Sequence, residues 1–268
     1  MKDRNILTAL SVLLIALTMP ERCASAGELP YELDTGREVS LVAVGGGLAA
    51  AALAIAGQQD PLDAEDLAGL DPDDVNAFDR SATRRWSVGA AKASDVLNWI
   101  LIPAPLAFAA AGRGREEPEL PLLMYAETLL LTNSVVGLLK GSTGRSRPYV
   151  YNDDPEIPEE EKLSKNARRS FPSGHSANAF AAAVFAGKVY ADLYPQSGAK
   201  GWVWGAGLAA AATTATLRYA AGHHYPTDIL AGAAIGAAVG YGVPRLHQVS
   251  GGRVDLGAGP AITFGFTF

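Results

Sequence analysis

The chain has 268 residues, a net charge of −6 and a single cysteine. Hydrophobic residues make up 49% and charged residues 19%, a balance that excludes intrinsic disorder over most of the length. The acidic balance argues against a nucleic-acid-binding protein, and one cysteine excludes a disulfide framework and any metal site built from cysteines.

The first 26 residues have the pattern of a secretory signal peptide. Basic Lys2 and Arg4 precede the mostly apolar run Ile6–Leu17, and Ala24-Ser25-Ala26 is a small-x-small cleavage pattern. The run is shorter than the roughly 20 residues of a spanning helix, although an uncleaved anchor stays open as the alternative. We therefore predict cleavage after Ala26 and an exported protein.

The body of the chain, residues 27–250, predicts one all-α domain. Its apolar runs are rich in Ala, Leu and Gly, are bounded by polar loops and show no period-two alternation. They predict a bundle of about six Ala-rich helices, at Leu41–Ile55, Trp99–Ala111, Leu122–Leu139, Ala177–Tyr190, Trp202–Leu217 and Ile229–Val243. Gly232, Gly236 and Gly240 either let helices approach closely or simply belong to a core face rich in small residues.

The segments outside these helices carry two further patterns. The loops Gln58–Asp79 and Asn152–Glu161 are acidic, and we interpret them as solvated surface rather than calcium loops. In the tail, residues 251–268, apolar and polar side chains alternate from Ala261 and end on Phe268, which predicts a short strand.

A first cluster of chemistry-bearing residues follows the third apolar run. Lys140 is expected at the helix end, and Arg147-Pro148 follows after a Gly- and Ser-rich turn. A lysine and an arginine on one turn can grip the same anion, the arginine as a planar fork and the lysine as a point charge. A basic flank of a membrane helix explains the same pattern and stays open.

A second cluster, Pro172-Ser173-Gly174-His175, runs into an apolar helix. Ser173 is placed to cap that helix, and the free N–H groups of a helix N-terminus bind anions. His175 in the first turn could protonate a leaving oxygen. An ordinary capped helix with a surface histidine is the alternative.

The third cluster places Arg218 at the end of one helix and His224 and Asp228 at the start of the next. Residues four apart are neighbours on a helix, so Asp228 can orient one imidazole nitrogen and leave the other as a nucleophile or base. We predict no metal site here, because the remaining histidines and carboxylates lack ligand spacing.

These three clusters together resemble the signature of the type-2 phosphatidic acid phosphatase/vanadium haloperoxidase superfamily, in its phosphatase branch. All ten defining positions match in order, from Lys140 to Asp228. One departure is Leu217, where the family usually has serine, and it puts one phosphate hydrogen bond in doubt.

The resemblance implies a helical bundle with the three clusters converging at one end. It assigns the phosphate oxygens to Lys140, Arg147, Ser173, Gly174 and Arg218. It further implies that His224 attacks phosphorus, that Asp228 orients it, and that His175 protonates the leaving alkoxide and then activates water. His223 is expected to be a catalytic bystander.

The function expected from the resemblance is a metal-independent phosphatase without a cofactor. Its substrate would be a phosphate monoester or pyrophosphate of the bacterial envelope, and family candidates are phosphatidate, phosphatidylglycerol phosphate, undecaprenyl pyrophosphate and lipid A. A soluble periplasmic acid phosphatase and a haloperoxidase with vanadate as cofactor stay open. Under the phosphatase interpretation vanadate is expected as an inhibitor.

The apolar content favours membrane association, with the active site on the periplasmic side. A soluble periplasmic location is the alternative. A cleaved signal peptide puts the new N-terminus outside, so three spans before Lys140 would place the site in the cytoplasm. Either one segment lies in the interface or the bundle docks on the membrane from the periplasm.

Overall fold

The computed structural model describes residues 29–107 and 117–249. The proposed signal peptide and the proposed strand in the tail lie outside these described residues. In this part of the chain the fold is all-α, with an isolated antiparallel bridge between Tyr31 and Gln248 as its only β pairing.

Within residues 29–107 and 117–249, six long helices build the bundle and two short ones lie in the loops. The helices are α1 (Thr35–Gly57), α2 (Ala64–Ala68), α3 (Val88–Leu101), α4 (Glu119–Thr143), α5 (Glu159–Lys162), α6 (Gly174–Leu193), α7 (Lys200–Ala220) and α8 (Pro226–His247). Five of the six predicted helices are confirmed, each extended by several residues at one or both ends.

The predicted helix Trp99–Ala111 is wrong over its described part, residues 99–107. The helix in this region is α3, which begins at Val88 and ends at Leu101. Pro103 and Pro105 follow, and proline cannot continue a helix because it lacks an N–H and clashes with the preceding turn. Ser87, whose hydroxyl accepts from the N–H of Ala90, caps its start.

Close approach of α6 and α8 depends on glycine. A Cβ on Gly236 would lie 2.0 Å from the carbonyl oxygen of Ala177, and one on Gly240 would lie 2.5 Å from that of Ala181. These glycines therefore permit backbone contact rather than merely filling a core face. Because the contacts advance together along both helices, α6 and α8 run parallel, with both N-termini at the same end of the bundle.

Different segments of the chain meet at the two ends of the bundle. At one end α1 stops beside the last turn of α4, where the Gln59 side chain donates to the carbonyl of Gly141 at 2.7 Å. At the opposite end the N-terminal segment meets the end of α8, where the N–H of Glu32 donates to the carbonyl of His247 at 2.9 Å. Residues 29–34 therefore lie at the end remote from Lys140.

Three segments of the described chain are long and apolar enough to cross a membrane: Thr35–Gly57, Glu119–Tyr151 and Pro226–His247. Their outer surfaces remain apolar, as Val39 on α1 is 63% exposed and Leu230 on α8 is 59% exposed. Exposed apolar faces of this length are typical of contact with lipid.

Candidate active site

The three predicted clusters meet at one end of the bundle. Lys140 lies in the last turn of α4 and Arg218 in the last turn of α7, while Ser173 is the N-cap of α6. The N–H of Ser173 donates to the carbonyl of Asp228 at 2.9 Å, which joins the starts of α6 and α8. The positive dipole ends of these two helices therefore point toward the same place, which favours an anion there.

Three cationic side chains surround this place, each held by a neighbour. Lys140 Nζ donates to the carbonyl of Arg169 at 2.6 Å. Arg147 is 5% exposed, and its guanidinium donates to the backbone and side-chain oxygens of Asn166, at 2.9 Å each. Arg218 is also 5% exposed and donates to Ser94 Oγ at 3.2 Å.

Gly174 has no side chain, which leaves space next to Lys140. A Cβ at Gly174 would lie 3.8 Å from Lys140 Cε, so the start of α6 and the lysine are in van der Waals reach. The buried Ser173 hydroxyl accepts from the N–H of Ser176 at 3.4 Å, as expected for a helix cap. The N-terminal amides of α6 therefore face the same space as the cations.

His224 lies at the centre of the cationic cluster and is 1% exposed. Burial and the nearby charges of Arg147, Lys140 and Arg218 lower its pKa well below the usual value. The imidazole is therefore neutral at neutral pH, which is the state a nitrogen nucleophile requires.

Asp228 lies beside His224, but at 3.6 Å between its Oδ2 and His224 Nδ1 the two make no hydrogen bond. Its carboxylate is held by other groups: Ser170 Oγ at 2.5 Å, the N–H of Tyr225 at 2.9 Å and Arg145 at 2.7 Å. The aspartate is thus fixed near the imidazole, and closing the gap needs a shift of well under 1 Å.

The sequence analysis missed Arg145 and Asp79, which anchor this carboxylate. Arg145 bridges the two aspartates, at 2.7 Å from Asp228 and 2.8 Å from Asp79. Asp79 is fully buried and also accepts from Thr227, although it belongs to the loop that we interpreted as solvated. The sequence gives no sign that Asp79 is buried beside Arg145, because the two residues are far apart along the chain and meet only in the folded structure.

His175 is paired with Asp95, a residue of α3 that the sequence analysis also missed. Its Nε2 lies 2.8 Å from Asp95 Oδ1, and the same carboxylate oxygen lies 3.5 Å from Arg218. Burial and the charge of Arg218 lower the pKa of His175 to about 4, against the opposing effect of Asp95. The pair places a proton carrier at the edge of the cationic cluster.

His223 makes several contacts. Its Nδ1 lies 2.6 Å from an Arg218 nitrogen, and because a guanidinium can only donate, Nδ1 accepts. The ring stacks on Trp86, with centroids 5.8 Å apart. Gly222, with φ of +72° and no room for a Cβ against Arg85, turns the chain so that His223 and His224 face different partners.

An apolar groove of about 650 Å³ begins at His175 and Asp95. It runs between α3 and α4 and is lined mainly by apolar side chains, among them Trp99, Ile102, Leu122 and Leu129. Trp99 is 81% exposed and Leu122 is 43% exposed, so the groove opens at the outer surface of the bundle. A polar anion site and an apolar groove are therefore contiguous.

Comparisons with known proteins agree with the motifs. The PAP2 superfamily model matches residues 121–251. A lipid A 1-phosphatase from Rhizobium johnstonii is 34% identical over 110 residues, which cover 41% of this chain and 41% of the relative. The matched segment thus spans about two-fifths of that relative's length.

One solved structure is also similar, that of a transmembrane PAP2-type phosphatidylglycerolphosphate phosphatase from Bacillus subtilis. It is 20% identical, the alignment covers 89% of this chain and 91% of that one, and the TM-score is 0.41. The match to the PAP2 superfamily model extends over all three clusters, from Lys140 to Asp228, and so agrees with the resemblance carried by the motifs.

Proposed function

We propose that this protein is a lipid phosphate phosphatase of the bacterial envelope, acting without a catalytic metal through a phosphohistidine. The observation that carries the proposal is the junction of the cationic cluster with the apolar groove at His175. A molecule with an anionic phosphate and a long apolar part fits both compartments at once. The lipid A 1-phosphatase relative supports the same substrate class.

In the proposed reaction Lys140, Arg147 and Arg218 bind the phosphate oxygens, together with the amides at Ser173 and Gly174. Phosphoryl transfer spreads negative charge over these oxygens, so fixed cations stabilise the transition state. With Nδ1 of His224 on the Asp228 side, Nε2 is left to attack phosphorus. Asp228 stabilises the positive charge that develops on the ring.

His175 completes both halves of the reaction. It donates a proton to the leaving oxygen as the P–O bond breaks, and it then takes a proton from the water that hydrolyses the phosphohistidine. Its low pKa in the free protein is raised when the phosphate arrives, because the anion offsets the charges of Arg218 and Arg147. Binding of substrate thereby protonates the acid that the reaction needs.

The groove favours a lipid substrate over the soluble phosphate esters of an acid phosphatase with broad specificity. Phosphate release should be measured with purified protein in detergent, using phosphatidate, phosphatidylglycerol phosphate, undecaprenyl pyrophosphate and lipid A beside soluble aryl and sugar phosphates. We expect kcat/KM at least tenfold higher for a lipid. Equal or higher values for the soluble esters would contradict the proposed substrate class.

Two additions to the same assay test the chemistry. Excess chelator should leave the initial rate unchanged, whereas loss of activity and its restoration by magnesium would contradict metal independence. Vanadate should inhibit competitively, because trigonal-bipyramidal vanadate resembles the transition state. Bromide oxidation by a vanadate-loaded sample that releases no phosphate would select a haloperoxidase instead.

A further inference from the structure

A second cluster of ionisable side chains lies at the end of the bundle remote from the active site. Glu38 of α1, Glu127 of α4 and His247 of α8 approach one another so that one ligand atom from each lies within 4.8 Å of the others. Along α4, Glu127 is thirteen residues from Lys140, or about 20 Å at the helical rise. The cluster therefore has no part in phosphate binding.

His247 is held in the orientation of a ligand. The ring is fully buried, and its Nδ1 donates to the carbonyl of Val243 at 2.9 Å. This bond turns Nε2 toward the two carboxylates, at 2.9 Å from Glu38 Oε2 and 3.3 Å from Glu127 Oε2. Histidines that bind metals commonly donate the other ring N–H to a carbonyl in this way.

The buried carboxylate of Glu127 is the strongest evidence for a cation in the cluster. It is 2% exposed, and within the described chain neither of its carboxylate oxygens has a hydrogen-bond partner of acceptable geometry. A buried carboxylate without such partners is costly unless a cation compensates it. Both oxygens are therefore available to a bound ion.

Glu38 has divided roles that leave one oxygen for the cluster. Arg37 donates to Glu38 Oε1 at 2.7 and 3.1 Å, and the N–H of Asp34 donates to the same oxygen at 3.1 Å. Oε2 faces the cluster and lies 2.9 Å from His247 Nε2. The hydrogen bonds to Oε1 thus orient the Glu38 carboxylate, an arrangement typical of metal-binding carboxylates.

The two distances from His247 Nε2 to the carboxylates fit a small divalent cation, and the two carboxylates lie within 4.8 Å of each other. Two ligand atoms bound at about 2.1 Å lie roughly 3.0–3.4 Å apart for angles between octahedral and tetrahedral. The distances of 2.9 and 3.3 Å from Nε2 to the two carboxylates are close to this range. One imidazole nitrogen with two carboxylate oxygens is a ligand set that suits zinc and its neighbours.

We propose that Glu38, Glu127 and His247 bind one divalent transition-metal cation of the zinc class, which ties α1, α4 and α8 together at the end opposite the active site. The role is structural, since α1, α4 and α8 belong to the three candidate membrane-crossing segments and the cluster joins all three. In the competing explanation, protonated His247 itself compensates the two carboxylates, and the cluster then binds no metal.

Metal content of the purified full-length protein tests this directly. The protein in detergent is stripped with chelator, incubated with Zn²⁺, separated from free ion and measured by mass spectrometry. We expect about one Zn²⁺ per chain, and a Glu127→Gln variant with affinity lowered by at least about 100-fold. Glu119→Gln, an exposed acid on the same helix, is the matched control and should bind as the wild type does.

Two measurements on the wild type keep the proposal testable if Glu127→Gln fails to fold. Zn²⁺ should raise the melting temperature of stripped protein, and Co²⁺ should give visible absorption bands of a mixed nitrogen and oxygen site. A stoichiometry under about one-tenth, with no shift in melting temperature, would overturn the proposal in favour of a protonated histidine. The initial rate of phosphate release should not change with Zn²⁺, so this result is separate from that of the proposed phosphatase.

Discussion

At the scale of single residues, the active-site side chains are placed by partners far away in sequence. The motifs placed Lys140, Ser173 and Arg218 at helix ends, and the family resemblance, rather than spacing, predicted that the three clusters meet at one end of the bundle. Spacing could not show which groups hold Asp228 or His175. Those partners come from loops and from α3, which carry no recognisable pattern of their own.

Arg145 offers a test of the buried charge network. Arg145→Ala leaves the buried carboxylates of Asp79 and Asp228 without their shared cation, and breaking such a network typically costs about 3–5 kcal/mol. We expect a clearly lower midpoint of denaturant unfolding. Arg84→Ala removes an exposed arginine and serves as the control, with a change of about 0.5 kcal/mol or less. Equal midpoints for the two variants would show that Arg145 is not structural.

His175 offers a test of leaving-group protonation. His175→Ala should lower kcat about 10²–10⁴-fold for an alkyl phosphate, whose leaving oxygen needs a proton. The first step with an aryl phosphate should be affected far less, because a phenolate leaves without protonation. A comparison of burst rates with the two substrates measures this. An equal loss for both would contradict the role of His175 as the acid.

His223 and His224 predict how stability depends on pH. Burial and neighbouring cations lower the pKa of His223 to about 2 and hold that of His224 well below its usual value. Below pH 6.5 the unfolded chain gains protons that the folded chain does not, so the free energy of unfolding should fall from pH 7 to pH 5. Denaturant titrations at these pH values check this. In the His223→Asn variant the decrease should be smaller, and an unchanged slope would contradict the buried neutral state.

At the scale of elements, helices with long apolar runs were predictable and their ends were not. The apolar run Trp99–Ala111 misled because, in its described part, apolar residues such as Trp99, Ile102 and Leu106 line the groove rather than form one continuous helix. In the true helix, α3, Lys92, Asp95 and Asn98 interrupt the apolar residues, so the sequence shows no continuous apolar run. Its signals are Ser87 as a cap and Pro103 as a terminator.

The contact between α6 and α8 yields a test at this scale. Gly236→Ala would force a methyl group to within 2.0 Å of the Ala177 carbonyl oxygen, so the helices must separate. We expect a loss of about 1–3 kcal/mol or more in unfolding free energy. Gly242→Ala on the same helix meets open space and should be neutral or slightly stabilising. Similar effects at both positions would contradict close packing at Gly236.

At the scale of the whole molecule, the fold constrains the topology in a membrane. Residues 29–34 and the active site lie at opposite ends of the bundle, so an inserted bundle puts them on opposite sides. Cleavage after Ala26, an inserted bundle and a periplasmic active site therefore cannot all hold. A bundle that docks on the membrane from the periplasm is compatible with both cleavage after Ala26 and a periplasmic active site.

Cysteine labelling distinguishes the arrangements. In a Cys23→Ser background, Ser142→Cys marks the active-site end and Leu33→Cys the opposite end, and both positions are exposed. An inserted bundle with a periplasmic site, which excludes cleavage after Ala26, predicts that a membrane-impermeant maleimide reaches Ser142→Cys in intact cells and Leu33→Cys only after permeabilisation. Labelling of both in intact cells would support the docked bundle and contradict insertion.

The central claim is that His224 is the nucleophile of a phosphatase, and rapid-quench trapping of the acid-labile phosphoenzyme tests it most directly. The wild type and a His223→Asn variant, whose side-chain oxygen can still accept from Arg218, should both trap labelled phosphate from an aryl phosphate. His224→Ala should trap none and should not turn over. Trapping by His224→Ala together with its loss in His223→Asn would contradict the account and identify the neighbouring histidine as the nucleophile.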